Sequence, residues 1–165
     1  MCDLGMALAI GSTLLGAAGQ IQQGQAQAAA SRYNAQVADM NARISERQAK
    51  DAIERGAMEE QRKRQEVAQI SGRQRAAMAA NGVDLTFGSP LDTMVDTAVL
   101  GEMDALTIRT NTYREAYDYR MQAANQLAGA TLNRMEAKSA QTGSYLGAAG
   151  TVLTGAGKAY GIYKN

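Results

Sequence analysis

Apolar side chains along this chain recur at helical, not alternating, spacing. Tyr33, Val37, Met40 and Ile44 step by four, three and four residues, which predicts an a/d seam along a long helix. The seam thins after Ile53 and resumes at Val67, Ile70 and Met78. Acid-first pairs at i,i+4 occupy this part of the chain (Glu46–Lys50, Asp51–Arg55, Glu59–Lys63 and Glu60–Arg64), as expected of a solvated helix surface. A second stripe contains Leu91, Met94/Val95, Ala98, Met103, Leu106, Tyr113, Tyr117, Met121, Ala124, Ala128, Leu132 and Met135. These patterns predict one long helix, or two collinear ones, over about residues 20–80 and a further long helix over about 90–141.

The junction between them carries local punctuation. Asn81-Gly82 suits a left-handed helix stop, and the following loop holds the lone Phe, Phe87, before Gly88. Ser89 is then the expected N-cap, Pro90 the first helical residue and Asp92 an acid in the first turn. Two long helices joined by a short loop fold back as an antiparallel hairpin. The predicted fold is all-α, with long extended helices, Gly/Ala-rich apolar helical ends, and assembly as an oligomer. It divides into an apolar Gly/Ala-rich segment (1–31), a long charged helix (32–82), a turn (83–89), a second long helix (90–141) and a Gly-rich apolar C-terminal segment (142–165).

Composition sharpens this picture. Of 165 residues, 32 are Ala, while Leu, Ile, Val and Phe together number 26, too few for a compact core of large side chains. Burial completed by neighbouring subunits fits better. With no His, the chain can form neither a Ser-His-Asp nor a Cys-His arrangement nor an imidazole metal site, so no catalytic residue, cofactor or metal is expected. A net charge of +1 argues against strong non-specific nucleic-acid binding. Arg62-Lys63-Arg64 with Arg73 and Arg75 is the most basic patch, but Glu59, Glu60 and Glu66 adjoin it, which favours a solvated face. Tyr113 and Tyr117 could stack on bases; their helical spacing favours packing.

Charge is absent from residues 4–31 and 139–157. In these ends small residues recur four apart, at Ser12/Gly16, Gly143/Gly147 and Gly157/Gly161, a spacing that lets helices approach closely. The candidate membrane or oligomer packing residues are therefore Leu8, Gly11, Ser12, Leu15, Gly16, Gly143, Gly147, Leu153 and Gly157. Leu4–Gly19 covers only ~24 Å as a helix against a ~30 Å hydrocarbon core. The expectation is burial in a protein ring, with membrane insertion in a later state; constitutive spanning and plain flexible or packed termini are the alternatives. A secretory signal is opposed by Asp3 and by the lack of any basic residue before Arg32.

The Met-Cys start, the uncharged opening and the Gln/Ala/Arg helix resemble the small internal virion (ejection or core) proteins of short-tailed bacteriophages. So do the junction Gly82-Val83-Asp84…Gly88-Ser89-Pro90-Leu91-Asp92 and the run Asp104-Ala105-Leu106-Thr107-Ile108-Arg109 with Tyr113, Tyr117 and Tyr119-Arg120. The resemblance covers most of the chain. It implies a structural protein stored in the capsid near the portal in several copies. On infection it leaves the head and helps form a conduit for the genome across the host envelope, at the outer membrane. The implied partners are further copies in a ring-like homo-oligomer, a portal or tail-adaptor protein, larger internal virion proteins, the host membrane after ejection, and packaged or translocating DNA in passive contact. The alternative is a secreted or envelope-associated helical coiled-coil interaction protein with no virion role.

Overall fold

The computed structural model describes the backbone of residues 3–85 and 87–164, and the side chains of residues 11–85, 87–158, 160 and 161. It contains two helices, α1 (Asp3–Ala80, 78 residues) and α2 (Ser89–Lys164, 76 residues), paired as a hairpin, with no strand among the described residues. Both run through the Gly-containing ends without a break. Each helical Gly costs about 1 kcal/mol relative to Ala, but Ala, Leu, Met and Gln lie between the glycines, and no Pro occurs before Pro90.

The turn follows its local signals closely. Gly82 has φ +71°, the left-handed conformation that only Gly adopts cheaply. Its N–H donates to the Ala79 carbonyl, and the Val83 N–H to the Met78 carbonyl, both at 3.0 Å. These two bonds make a complete Schellman stop. The Asn81 Nδ2 adds a bond to the Ala77 carbonyl at 2.8 Å. α2 begins one residue earlier than its expected Ser89 cap. The carbonyl of Gly88 (φ +73°) accepts from the Leu91 and Asp92 N–H groups, so Ser89 lies within the first turn and Pro90 follows it. Pro is still tolerated there, because its missing N–H is one of the unpaired donors at a helix start.

The chain forms two compact units, residues 1–42 with 125–165 and residues 43–124. In the first, α1 buries Ala17, Gly24, Ala28, Ser31, Ala35, Ala38 and Ala42, and α2 buries Ala130, Ala137, Ala148 and Gly155. In the second, the buried positions are Ser45, Ala49, Ala52 and Gly56 on α1 and Gly101, Ala105, Ala116 and Ala123 on α2. On α1 the spacing alternates between three and four from Gly24 to Gly56, the heptad of a coiled coil, and on α2 Ala116, Ala123, Ala130 and Ala137 follow one another every seven residues; every fully buried occupant is Ala, Gly or Ser.

This overturns the expected seam. Tyr33, Met40 and Ile44 are 66%, 56% and 46% exposed, and Met103, Leu106, Tyr113, Tyr117, Met121, Leu132 and Met135 are exposed as well. The physical reason is close approach. A Cβ added to Gly24 would lie 2.1 Å from the Ser144 Cβ, and one on Gly155 2.2 Å from Thr13 Cγ2. In the second unit the same addition at Gly56 meets Thr112 at 2.0 Å, and at Gly101 meets Val67 at 2.5 Å. Backbones this near leave no room for Met or Tyr between them, so those side chains turn outward.

The expected charge pairs are also rearranged. Glu60–Arg64 forms at 2.9 Å, but Arg55 pairs with Glu115 at 2.9 Å and Lys63 with Asp104 at 3.2 Å. Arg64 also reaches Glu102 at 2.9 Å. These contacts cross from one helix to the other along the flanks of the seam, the positions where coiled coils place pairing charges.

Candidate functional site

The candidate packing residues fall mostly outside the intramolecular seam of their unit. Leu15 and Leu153 are 77% and 74% exposed, and their neighbours Leu14 and Leu146 are also exposed. Gly11, Gly143 and Gly157 have no atom within 4 Å of an added Cβ; Gly16 has only ordinary contact with Thr151 Cγ2 at 3.8 Å. Gly147 faces the Gln20 amide, whose Oε1 lies 3.2 Å from the position of an added Cβ and also accepts from the Thr151 hydroxyl. Ser12 is exposed. The side chain of Leu8 lies outside the described residues. The four-residue spacing thus marks outer surface. The closest approach within the unit falls instead at Gly24 and Gly155.

Gly24, Gly56, Gly101 and Gly155 are the packing residues that the apolar pattern misses. Their signal is present in the sequence as a small residue every seven positions, for example Ala28, Ala35, Ala42 and Ala49. It is masked by the abundance of Ala elsewhere. The first unit's helices are otherwise linked by uncharged or half-charged bonds, Arg32 to Gln141 at 2.8 Å and Thr151 to Gln20 at 3.1 Å, and by the Arg134–Asp39 ion pair.

In the second unit the basic patch is partly used internally, since Lys63 and Arg64 are paired as described. Lys63 is held above its ordinary pKa by the hydrogen bond it donates to the Asp104 carboxylate and by the nearby Glu66 carboxylate. Gln74 Nε2 donates to the Thr97 hydroxyl at 3.1 Å, while its buried Oε1 has no partner among the described residues. Tyr113 and Tyr117 are not packing residues of the seam. They are 53% and 61% exposed, in a shallow recess with Thr110, Arg114 and Asp118, and the Arg109 guanidinium sits 5.7 Å from the Tyr113 ring.

Chemically this arrangement can offer apolar surface. Among the described residues no group of His, Cys, Asp or Glu could hold a metal ion, and no helix is long and apolar enough to cross a membrane. What stands out is the inverted distribution: methyls and hydroxyls inside, Leu, Met, Val and Tyr outside. Exposed apolar patches on protein surfaces mark contact sites for protein or lipid.

No curated protein matches the chain, and no solved structure matches it. A family model does, over residues 1–165, and it is that of a structural component of a virion. The all-helical hairpin and its outward apolar faces therefore belong to a member of the T7 virus internal virion protein gp14 family.

Proposed function

We propose that this internal virion protein is stored near the portal as a ring-like homo-oligomer, against a portal or tail-adaptor protein and the larger internal virion proteins. On infection it is ejected and helps build a channel across the host envelope, at the outer membrane, with translocating DNA in passive contact. The observation that carries this reading is the inverted distribution of side chains. A hairpin whose fully buried positions are Ala, Gly and Ser leaves most of its large apolar residues exposed, so they remain free for subunits in the particle and for lipid afterwards. Close helix approach through small residues also holds in lipid, where the hydrophobic drive between helices vanishes.

The ends are the envelope-active part. Each is short for a bilayer, but copies side by side can cover the Gly surfaces and flanking Gln side chains, and a thin outer membrane relaxes the length. Leu15→Asp and Leu153→Asp put a charge where bilayer burial costs about 2.5–3.5 kcal/mol. Particles carrying them should assemble and fill with DNA yet deliver genomes poorly, and the full-length variants should lose flotation with liposomes while keeping their helicity. Unchanged delivery and flotation would refute the envelope role.

The secreted-module alternative has no observation in its favour, given the family.

A further inference from the structure

Within the second unit the two helices carry opposite charge near the turn. Residues 62–80 of α1 hold five bases (Arg62, Lys63, Arg64, Arg73 and Arg75) and one acid, Glu66. Residues 89–108 of α2 hold four acids (Asp92, Asp96, Glu102 and Asp104) and no base. Pairing across the hairpin consumes Lys63, Arg64, Glu102 and Asp104. Arg62, Arg73, Asp92 and Asp96 are exposed, and among the described residues they make no ion pair.

Helical periodicity places the unpaired residues. On α1, Arg62 and Arg73 lie eleven residues apart, three turns, with Gln69 and the single acid Glu66 between them on the side turned away from seam residues Val67 and Gln74, which leaves that face net basic. On α2, Asp92 and Asp96 lie one turn apart and interleave with the exposed stripe Val95, Val99 and Met103, again on the side away from Gly101 and Ala105. The unit thus has a basic outer face on one helix and an acidic, apolar outer face on the other.

We infer that these two faces bind each other between copies: the Arg62/Arg73 face of one chain packs on the Asp92/Asp96 face of the next. This inference rests on the ring reading above and names its interface. Charge complementarity selects the occupant. Two copies joined α2 to α2 over this face would set Asp92 and Asp96 against the same two acids, and like charges across an interface are strongly disfavoured. An α1 face supplies the missing bases, and the aliphatic stems of Arg62 and Arg73 can cover Val95, Val99 and Met103. Because the two faces differ and lie on different helices, the contact is heterologous, the type that propagates from copy to copy and closes into a ring when the rotation allows.

The test uses the full-length chain in sedimentation velocity at moderate salt, with circular dichroism confirming helicity for each variant. Arg62→Glu/Arg73→Glu and Asp92→Lys/Asp96→Lys should each weaken self-association by about tenfold or more, since each sets like charges face to face. An equimolar mixture of the two variants should associate again, because each then offers what the other lacks, and so should the single chain carrying all four changes. Wild-type assembly that both reversals leave intact overturns this interface while leaving a ring built through another surface. A wild-type chain that stays monomeric at tens of micromolar, a range typical of weak association, overturns the self-contact itself. Reversals that both weaken assembly but fail to rescue each other overturn the pairing of these faces. The liposome and delivery measurements on Leu15→Asp and Leu153→Asp read the envelope role separately.

Discussion

The two units of the hairpin use the same kind of seam but fasten its flanks differently. In residues 1–42 with 125–165, the helices meet through Ala, Gly and Ser, with bonds such as Arg32–Gln141 and Gln20–Thr151 and, among the described residues, one ion pair, Arg134–Asp39. In residues 43–124, three charge pairs bridge the helices: Arg55–Glu115, Lys63–Asp104 and Arg64–Glu102. A contact made mainly of methyls and neutral hydrogen bonds has less charge to desolvate on transfer from water to protein or lipid. A contact flanked by exposed charges is specific in water and weakened by salt.

The largest expected effect comes from filling the shared element, the small-residue seam. Ala130→Leu inserts three carbons at a site with no exposed surface and should destabilise the first unit by about 1–3 kcal/mol or open it altogether, as followed by thermal unfolding. Met40→Ala, which removes a large apolar side chain from the outer surface, should stay within about 0.5 kcal/mol by the same measurement. A reversed order would mean that the large residues form the seam after all.

A smaller effect separates the units. Arg64→Ala removes the half-exposed bridge to Glu102 and to Glu60, and should cost about 0.2–1 kcal/mol, shrinking in 1 M salt. Salt should leave the Ala130→Leu effect unchanged. Equal salt sensitivity of both variants would erase the contrast between the units.

The smallest effect is alkaline. The Lys63 ammonium is held above its ordinary pKa first by its hydrogen bond to Asp104 and then by Glu66, so the unfolded chain releases this proton at lower pH than the folded one. The contribution is complete below about pH 10.4, the ordinary lysine value, and is lost as pH rises through the higher folded value. Lys63→Gln should flatten that part of the stability profile slightly. A steeper profile in the variant would contradict the assignment.

What could be read in the sequence was local. The stop at Gly82 and the start beside Pro90 are set by backbone constraints confined to a few residues, and they place the turn, with the start displaced by one position. The apolar pattern marked helix over about residues 20–80 and 90–141, and both helices run on past these bounds, to Asp3 and to Lys164. The seam was not. Periodicity analysis weights large apolar side chains, and Tyr33, Val37, Met40 and Ile44 form a true helical stripe, but a stripe shows only that one face is apolar and not what covers it. In a chain with 32 Ala, the heptad Ala28, Ala35, Ala42, Ala49 carries no contrast until two backbones are seen to meet there. The pairs Asp51–Arg55 and Glu59–Lys63 gave way to Arg55–Glu115 and Lys63–Asp104, because a facing helix offers carboxylates that a single helix cannot reveal.

The most direct measurement of the central claim, small residues inside and large apolar residues outside, is the accessibility of single thiols in the full-length chain. With Cys2 changed to Ser, one cysteine at a time is placed at Ser31, Ala38 or Ser45 on the seam, and at Tyr33, Met40 or Ile44 on the outer stripe, and its reaction with a maleimide is timed. The account predicts slow labelling at 31, 38 and 45, recurring every seven residues and lost in denaturant, and faster labelling at 33, 40 and 44. Fast reaction at 31, 38 and 45 with protection at 33, 40 and 44 would contradict it.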